Sequence, residues 1–192
     1  MTRKTNPSSI PTPSPLALAV LVLLHEAPMH PYRMQRLIKE RGKDQVIRVE
    51  LRASLYQTID RLLRDGLIAV QEIERQDGVP DRTIYCLTDS GYAVAVKWLR
   101  DMLATPAQDY PEFPAAVSLL PLLTPDDARH HLEIRAAKLA DRISSIDQVN
   151  QVADVPRLFL LESEYLRLML ETELNWVQSV IADLREGRLT WE

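Results

Sequence analysis

The apolar positions of this chain repeat at helical spacing almost from end to end, with one interruption where a β-branched hairpin pattern takes over. Leu16 to Glu26 is a nearly all-apolar run, too short to span a bilayer and suited to a buried helix. Pro31 to Arg41 follows, with proline at a helix start and Tyr32, Met34, Leu37 and Ile38 on one side. From Leu51 to Asp65 the residues Leu51, Leu55, Ile59, Leu62 and Leu63 form the inward face of an amphipathic helix that stops at Gly66. Leu67 to Glu74 and Thr83 to Leu87 then read as short strands joined by a polar turn, Arg75 to Arg82, that contains glycine and proline.

Thr88 is placed to cap the next helix, which runs through Tyr92, Val94, Val96, Trp98, Leu99 and Met102 and ends near Ala104-Thr105-Pro106. Five prolines between residues 106 and 125 leave Ala115 to Leu120 as the candidate for a short helix in a linker. Thr124-Pro125-Asp126-Asp127 is a strong helix start, followed by Leu132, Ala136, Leu139, Ile143 and Ile146 in a four-three-four-three step. The last helix repeats that step at Leu170, Leu174, Val177, Ile181 and Leu184, with a start near Asp154 and Pro156 and a stop at Gly187. The expected layout is a flexible tail over 1–15, a first domain over 16–105, a proline-rich linker over 106–125 and a helical domain over 126–192. The fold class is mostly α with a small β-hairpin.

Two long helices joined by a short bend cover each other on one face only, and Leu158, Leu161, Tyr165, Leu168 and Trp176 add further apolar positions. A second subunit is expected to cover the remainder, with the Leu170, Leu174, Val177, Ile181 and Leu184 seam assigned to the dimer interface. The alternative is a self-contained helical hairpin.

Composition narrows the class. Of the 192 residues, 46% are hydrophobic and 26% charged, and only five are glycine, which favours helices. The lone cysteine, Cys86, excludes an intramolecular disulfide and a multi-cysteine zinc site; in the second strand it reads as a small half-buried residue. Arg3 and Lys4 precede the apolar run at Leu16, but a proline-studded gap separates them and no small-x-small pattern follows, so export is not expected and the cytoplasm is. There is no glycine-rich phosphate loop, no G-x-S-x-G elbow and no H-E-x-x-H pair. His25, His30, His130 and His131 offer no i,i+4 pair. Neither an enzyme, a metal site nor a cofactor is expected.

The net charge of −4 argues at first against nucleic acid, yet it is unevenly divided. Residues 1–105 carry fifteen Lys/Arg against twelve Asp/Glu, and residues 106–192 eight against fifteen. Residues 29–64 alone hold nine basic and four acidic side chains. Within them, the outer side of the Leu51–Asp65 helix presents Arg52, Ser54, Tyr56, Gln57 and Arg61, a mixture that suits phosphates and base edges. Two helices, a recognition helix and a hairpin in that order describe a winged helix-turn-helix with a C-terminal helical dimerisation region. Arg52, Ser54, Tyr56 and Gln57 are then the groove-edge and phosphate contacts, with Arg61 further along the helix. Arg75 and Arg82 flank the wing tip, and Lys43, Arg48 and Tyr32 are second-rank phosphate candidates. Arg3 and Lys4 of the tail are candidate minor-groove contacts.

Leu18 to Leu24, His30-Pro31-Tyr32, Ser54-Leu55-Tyr56, Arg61-Leu62, Asp65-Gly66-Leu67-Ile68, Arg82-Thr83-Ile84-Tyr85 and Leu87-Thr88-Asp89-Ser90-Gly91 together resemble the PadR family of transcriptional regulators. The likeness is close over roughly the first hundred residues and extends in layout to the helical remainder. It implies a homodimeric winged-helix regulator, usually a repressor, that leaves its operator when a small effector binds. The family usually has glycine where Ala53 stands and proline where Gln57 stands, which bears on operator preference. Two-fold symmetry implies an inverted-repeat operator on double-stranded DNA with half-sites about 34 Å apart. For a small aromatic or amphipathic effector, Trp98 and Trp176 are the candidates, against the plainer reading that both are packing residues. The rival function is a winged-helix module that binds an acidic protein and no DNA.

Overall fold

The computed structural model describes residues 12–49, 52–76, 79–107, 111–152 and 155–191. The chain divides into two compact units, Met1–Gln108 and Asp109–Glu192.

In the first unit, α1 (Pro15–Glu26) starts where Ser14 Oγ accepts the Ala17 amide at 3.2 Å and proline occupies the first helical position. It is apolar on most sides and buries Ala17, Val20, Leu21, Leu23 and Leu24. Helix α2 (Pro31–Glu40) is capped by His30, whose Nδ1 accepts the Tyr32 amide at 3.1 Å, and buries Pro31, Met34 and Ile38. A 3-10 turn at Lys43–Gln45 leads to α3 (Arg52–Arg64). Gln35 Nε2 donates to the Val49 carbonyl at 3.1 Å, which ties α2 to the approach of α3.

Leu55, Ile59 and Leu62 of α3 are fully buried, as their spacing predicts. Leu63 is 37% exposed and does not belong to the inward face, because one residue turns about 100° from Leu62; Leu51 lies outside the described residues. Helix α3 ends at Gly66, whose φ of 70° is the left-handed conformation that glycine adopts without a Cβ penalty. The Leu67 amide reaches back to Leu62 O and the Gly66 amide to Leu63 O, closing the last turn.

Strands β1 (Ile68–Gln76) and β2 (Val79–Leu87) pair antiparallel from Ile68 with Leu87 to Gln76 with Val79. Most of the expected polar turn is therefore strand; Asp77 and Gly78 lie outside the described residues. Pro80 is tolerated because each strand of a two-stranded sheet is an edge. Register shifts between Val70 and Glu72 and between Glu74 and Gln76 mark bulges. A bridge that periodicity did not predict joins Met29, between α1 and α2, to Tyr85 through both amides.

Thr88 caps α4 (Asp89–Ala104): its Oγ1 accepts the Gly91 amide at 3.0 Å and lies 2.8 Å from Gly66 O and 2.9 Å from Leu67 O, within donating reach of both. A Cβ on Gly91 would sit 1.9 Å from Leu67 O, so only glycine lets α4 approach the turn after α3 this closely. Trp98 is 1% exposed and belongs to the core formed with α1, α2 and α3.

In the second unit, α5 (Glu112–Val117) and a 3-10 turn at Leu120–Leu122 precede α6 (Pro125–Val152), and a further turn at Arg157–Phe159 leads to α7 (Leu161–Arg185). The short helix begins at Glu112, earlier than expected, because Pro114 falls in the first turn, where its missing N–H donor costs no intrahelical hydrogen bond. Phe113 packs on the core of this unit, so the segment read as linker is partly folded into it. Helix α7 begins at Leu161 and not near Asp154, which lies outside the described residues. Gly187, with φ 70°, closes it as expected.

Helices α6 and α7 run antiparallel, joined by Arg135–Glu173, Arg167–Asp147 and Arg185–Glu133. Leu132, Leu139, Ile143 and Ile146 pack against Leu170, Val177 and Ile181, with Leu174 and Leu184 beside them. This corrects the assignment of Leu170, Leu174, Val177, Ile181 and Leu184 to a dimer interface: the seam is covered by α6 of the same chain, Val177 to 0% exposure. What remains open on this unit is another set, including Leu161, Tyr165, Leu168, Met169 and Trp176.

Candidate nucleic-acid interface

With one side of α3 fixed in the core, geometry decides what the other side shows. Ala53, Tyr56, Gln57, Asp60 and Arg64 are all exposed and recur at steps of three and four, a single stripe opposite Leu55, Ile59 and Leu62. Tyr56 is 45% exposed. Arg64 was not among the expected contacts; its place on the stripe could have been found by continuing the Tyr56 and Gln57 spacing two further turns. Ser54 is half-buried at the stripe's edge, where its carbonyl accepts the Thr58 hydroxyl at 2.7 Å.

Arg61 does not join the stripe. It is half-buried, its Nη2 lies 3.5 Å from Ser14 Oγ at the start of α1, and its Nε is buried without a hydrogen-bond partner. The side chain reaches inward toward the α1 cap, and that corrects its assignment as a backbone contact.

Of the other expected contacts, Tyr32 is 58% exposed in the first turn of α2, Arg48 is exposed in the loop before α3, and Lys43 is half-buried. On the wing, Arg82 is exposed and registers opposite Glu74. The side chains of Arg52 and Arg75 lie outside the described residues, although Arg52 opens α3 and Arg75 belongs to β1. The base of the wing lies close to α3: burial, with the charge of Asp60 and Tyr56 nearby, pushes the Tyr85 hydroxyl up and keeps it a neutral donor.

In the first unit, Arg36 and Arg41 pair with Glu40 and Glu26. Among the described residues, Arg48, Arg64 and Arg82 are not paired with a carboxylate. In the second unit Arg129, Arg135, Arg157, Arg167, Arg185 and Arg188 are paired, and among the described residues Arg142 is not. Exposed cations without an internal counter-charge keep their field available to an external anion.

Of the two tryptophans considered for an effector, Trp98 is enclosed in the core of the first unit, its indole nitrogen buried without a partner. Trp176 is 44% exposed and meets Phe113 edge-on at 5.9 Å. The second unit contains a cleft of about 430 Å³ between α5, its following turn and α6; neither tryptophan lines it, though Phe113 does. Among the described residues, no cluster of three or more His, Cys, Asp or Glu is placed to hold a metal, and no helix is long and apolar enough to cross a membrane.

Three helices, a hairpin returning beside the third, and a free polar stripe on that third helix define a winged helix-turn-helix fold. Residues 20–97 match the transcriptional regulator PadR-like family. Solved structures extend the likeness to most of the chain. Bacillus subtilis PadR in complex with operator DNA is 19% identical, covers 90% of this chain and 99% of its own, and superposes with a TM-score of 0.67. The same protein in complex with p-coumaric acid gives 19% identity, 88% and 98% coverage and a TM-score of 0.70. The Vibrio cholerae virulence activator AphA gives 15%, 90%, 99% and 0.65. At these identities the shared property is the fold. No curated protein matches the chain in sequence.

Proposed function

We propose that this PadR-like protein binds DNA sequence-specifically as a homodimer on an inverted-repeat operator and represses transcription until a small effector releases it. The observation that carries the reading is the α3 stripe itself. Tyr56, Gln57 and Arg64 lie exposed on one face of α3, and Arg48 before the helix and Arg82 on the wing are exposed without carboxylate partners among the described residues. A helix of this shape places its first turns against base edges, while the flanking cations hold phosphates.

The solved complex of Bacillus subtilis PadR with operator DNA supports DNA as the ligand, and its complex with p-coumaric acid supports release by a small molecule. Dimerisation rests on α7, where Leu161, Tyr165, Leu168 and Trp176 stand exposed at 45%, 63%, 60% and 44% on a helix whose other side is filled. An apolar set of that extent on a helix is commonly covered by another chain. Two such domains related by a two-fold axis would meet successive major grooves about 34 Å apart.

Selection of bound sequences from a random duplex pool by the purified protein tests this directly. An enriched inverted repeat with half-site centres about ten base pairs apart is expected. Enrichment that disappears in Tyr56→Ala and Gln57→Ala ties it to α3. A pool that stays random, with the wild-type protein fully folded, removes the DNA reading and leaves the protein-contact alternative.

A further inference from the structure

The cleft of the second unit has a specific chemistry. Its walls are Phe113, Val117, Leu120, Leu123 and Leu132, and its volume of about 430 Å³ falls in the range of small-molecule sites. Two of its lining side chains are polar, His131 and Arg135.

Arg135 is held before any ligand arrives. Its Nε donates to Glu173 Oε1 of α7 at 2.6 Å, and its guanidinium carbon lies 3.5 Å above the centre of the Phe113 ring. The pair with Glu173 engages only part of the guanidinium fork, which carries five N–H donors in all. His131 has its Nδ1 2.9 Å from the Asp127 carbonyl, which leaves Nε2 as the ring's other polar atom. A leucine-rich hollow with an anchored arginine and a histidine suits a molecule with an apolar body and one accepting head group.

We propose that this cleft is a binding site for an amphipathic monocarboxylate, its chain against the leucines and its carboxylate on Arg135. A carboxylate gains charge-assisted hydrogen bonds from the fork that a neutral head group of the same length does not. The site is also built to report occupancy. Trp176 lies edge-on to Phe113, and the Trp191 indole N–H donates to the Leu123 carbonyl at 2.8 Å, so two wall residues each touch a tryptophan. Helix α7, which supplies Glu173, also carries the exposed residues assigned above to the dimer, so a ligand that shifts Arg135 acts on the helix that sets the spacing of two winged domains. That last consequence rests on the dimeric regulator reading; the binding step does not.

The test is calorimetric titration of the full-length protein, without DNA, with octanoate and with octanol, followed in parallel by tryptophan emission. Octanoate is expected to bind at least about tenfold more tightly than octanol and to change the emission. Arg135→Met should erase that preference while retaining weak binding of both. Ala116→Trp, at an exposed lining position and so without cost to the core, should abolish both. Absence of octanoate binding overturns the proposal. So does binding that survives Ala116→Trp, or an Ala116→Trp protein whose only change is in oligomeric state, which would mean that a second copy covers the cleft. Because no DNA is present, these outcomes are independent of whether the protein binds an operator.

Discussion

Gly91→Ala separates two opposed physical effects by sign. Helix propensity alone favours alanine by up to about 1 kcal/mol inside a helix. The added Cβ, however, would lie 1.9 Å from Leu67 O and 2.8 Å from Leu87 Cδ1. An ordinary carbon-to-carbonyl-oxygen contact is at least about 3.3 Å, so the start of α4 must retreat by more than about 1 Å. That movement strains the Thr88 cap, whose Oγ1 accepts the Gly91 amide and reaches Gly66 O and Leu67 O. Loss of a cap costs about 1 kcal/mol and overpacking about 1–3 kcal/mol. After the propensity gain, a net destabilisation of about 2 kcal/mol is expected, which lowers the melting temperature of a domain this size by about 8–16 °C. Because the chain has two units, the transition should be followed by Trp98 emission in a Trp176→Phe, Trp191→Phe background, where the remaining tryptophan belongs to the first unit. Unchanged or raised stability would refute the close approach of α4 to the turn after α3.

Val177→Ala, at a fully buried seam position, should cost about 1–3 kcal/mol and lower the transition of the second unit, measured by urea unfolding. Leu168→Ala, at a position 60% exposed, should leave that transition within about 0.5 kcal/mol of wild type and raise the dimer dissociation constant measured by analytical ultracentrifugation. Glu26 is held below its ordinary carboxylate value, first by its hydrogen bond to Arg41, so the pair contributes stability above the unfolded value near 4.5 that is lost as pH falls through the depressed folded one. Because both side chains are more than 40% exposed, the contribution is only about 0.5 kcal/mol, and Glu26→Gln should remove that much of the stability difference between pH 7 and pH 3 in thermal melts.

The elements that could be read from the chain were those whose pattern and punctuation agree. Thr88, Thr124-Pro125 and Gly66 mark helix ends by local chemistry, and Leu55, Ile59 and Leu62 mark a buried face by spacing, so each appears where expected. The wing was read too short because Pro80 and Asp81 look like loop residues, while the pairing partners that extend β2 lie in another strand. The bridge between Met29 and Tyr85 joins residues far apart in sequence, and no periodic signal encodes it. The heptad step of α7 correctly indicated a packed seam, but spacing alone does not say whether the partner helix belongs to the same chain. Arg61 illustrates the same limit at the site: its angular position near the stripe is legible, whereas its turn toward Ser14 depends on where α1 begins in space. The cleft beside Arg135 escaped sequence reading because much of its wall comes from a proline-rich segment read as a linker between the two halves.

The central claim, that the polar stripe of α3 and the wing arginine meet the phosphates and bases of a duplex, is tested most directly by the salt dependence of duplex binding in fluorescence anisotropy. For the wild-type protein, the logarithm of affinity should fall linearly with the logarithm of salt concentration. Arg64→Ala and Arg82→Ala should each reduce the magnitude of that slope by about one. A folded protein with no measurable duplex affinity at low salt, or a slope that neither substitution changes, contradicts the account.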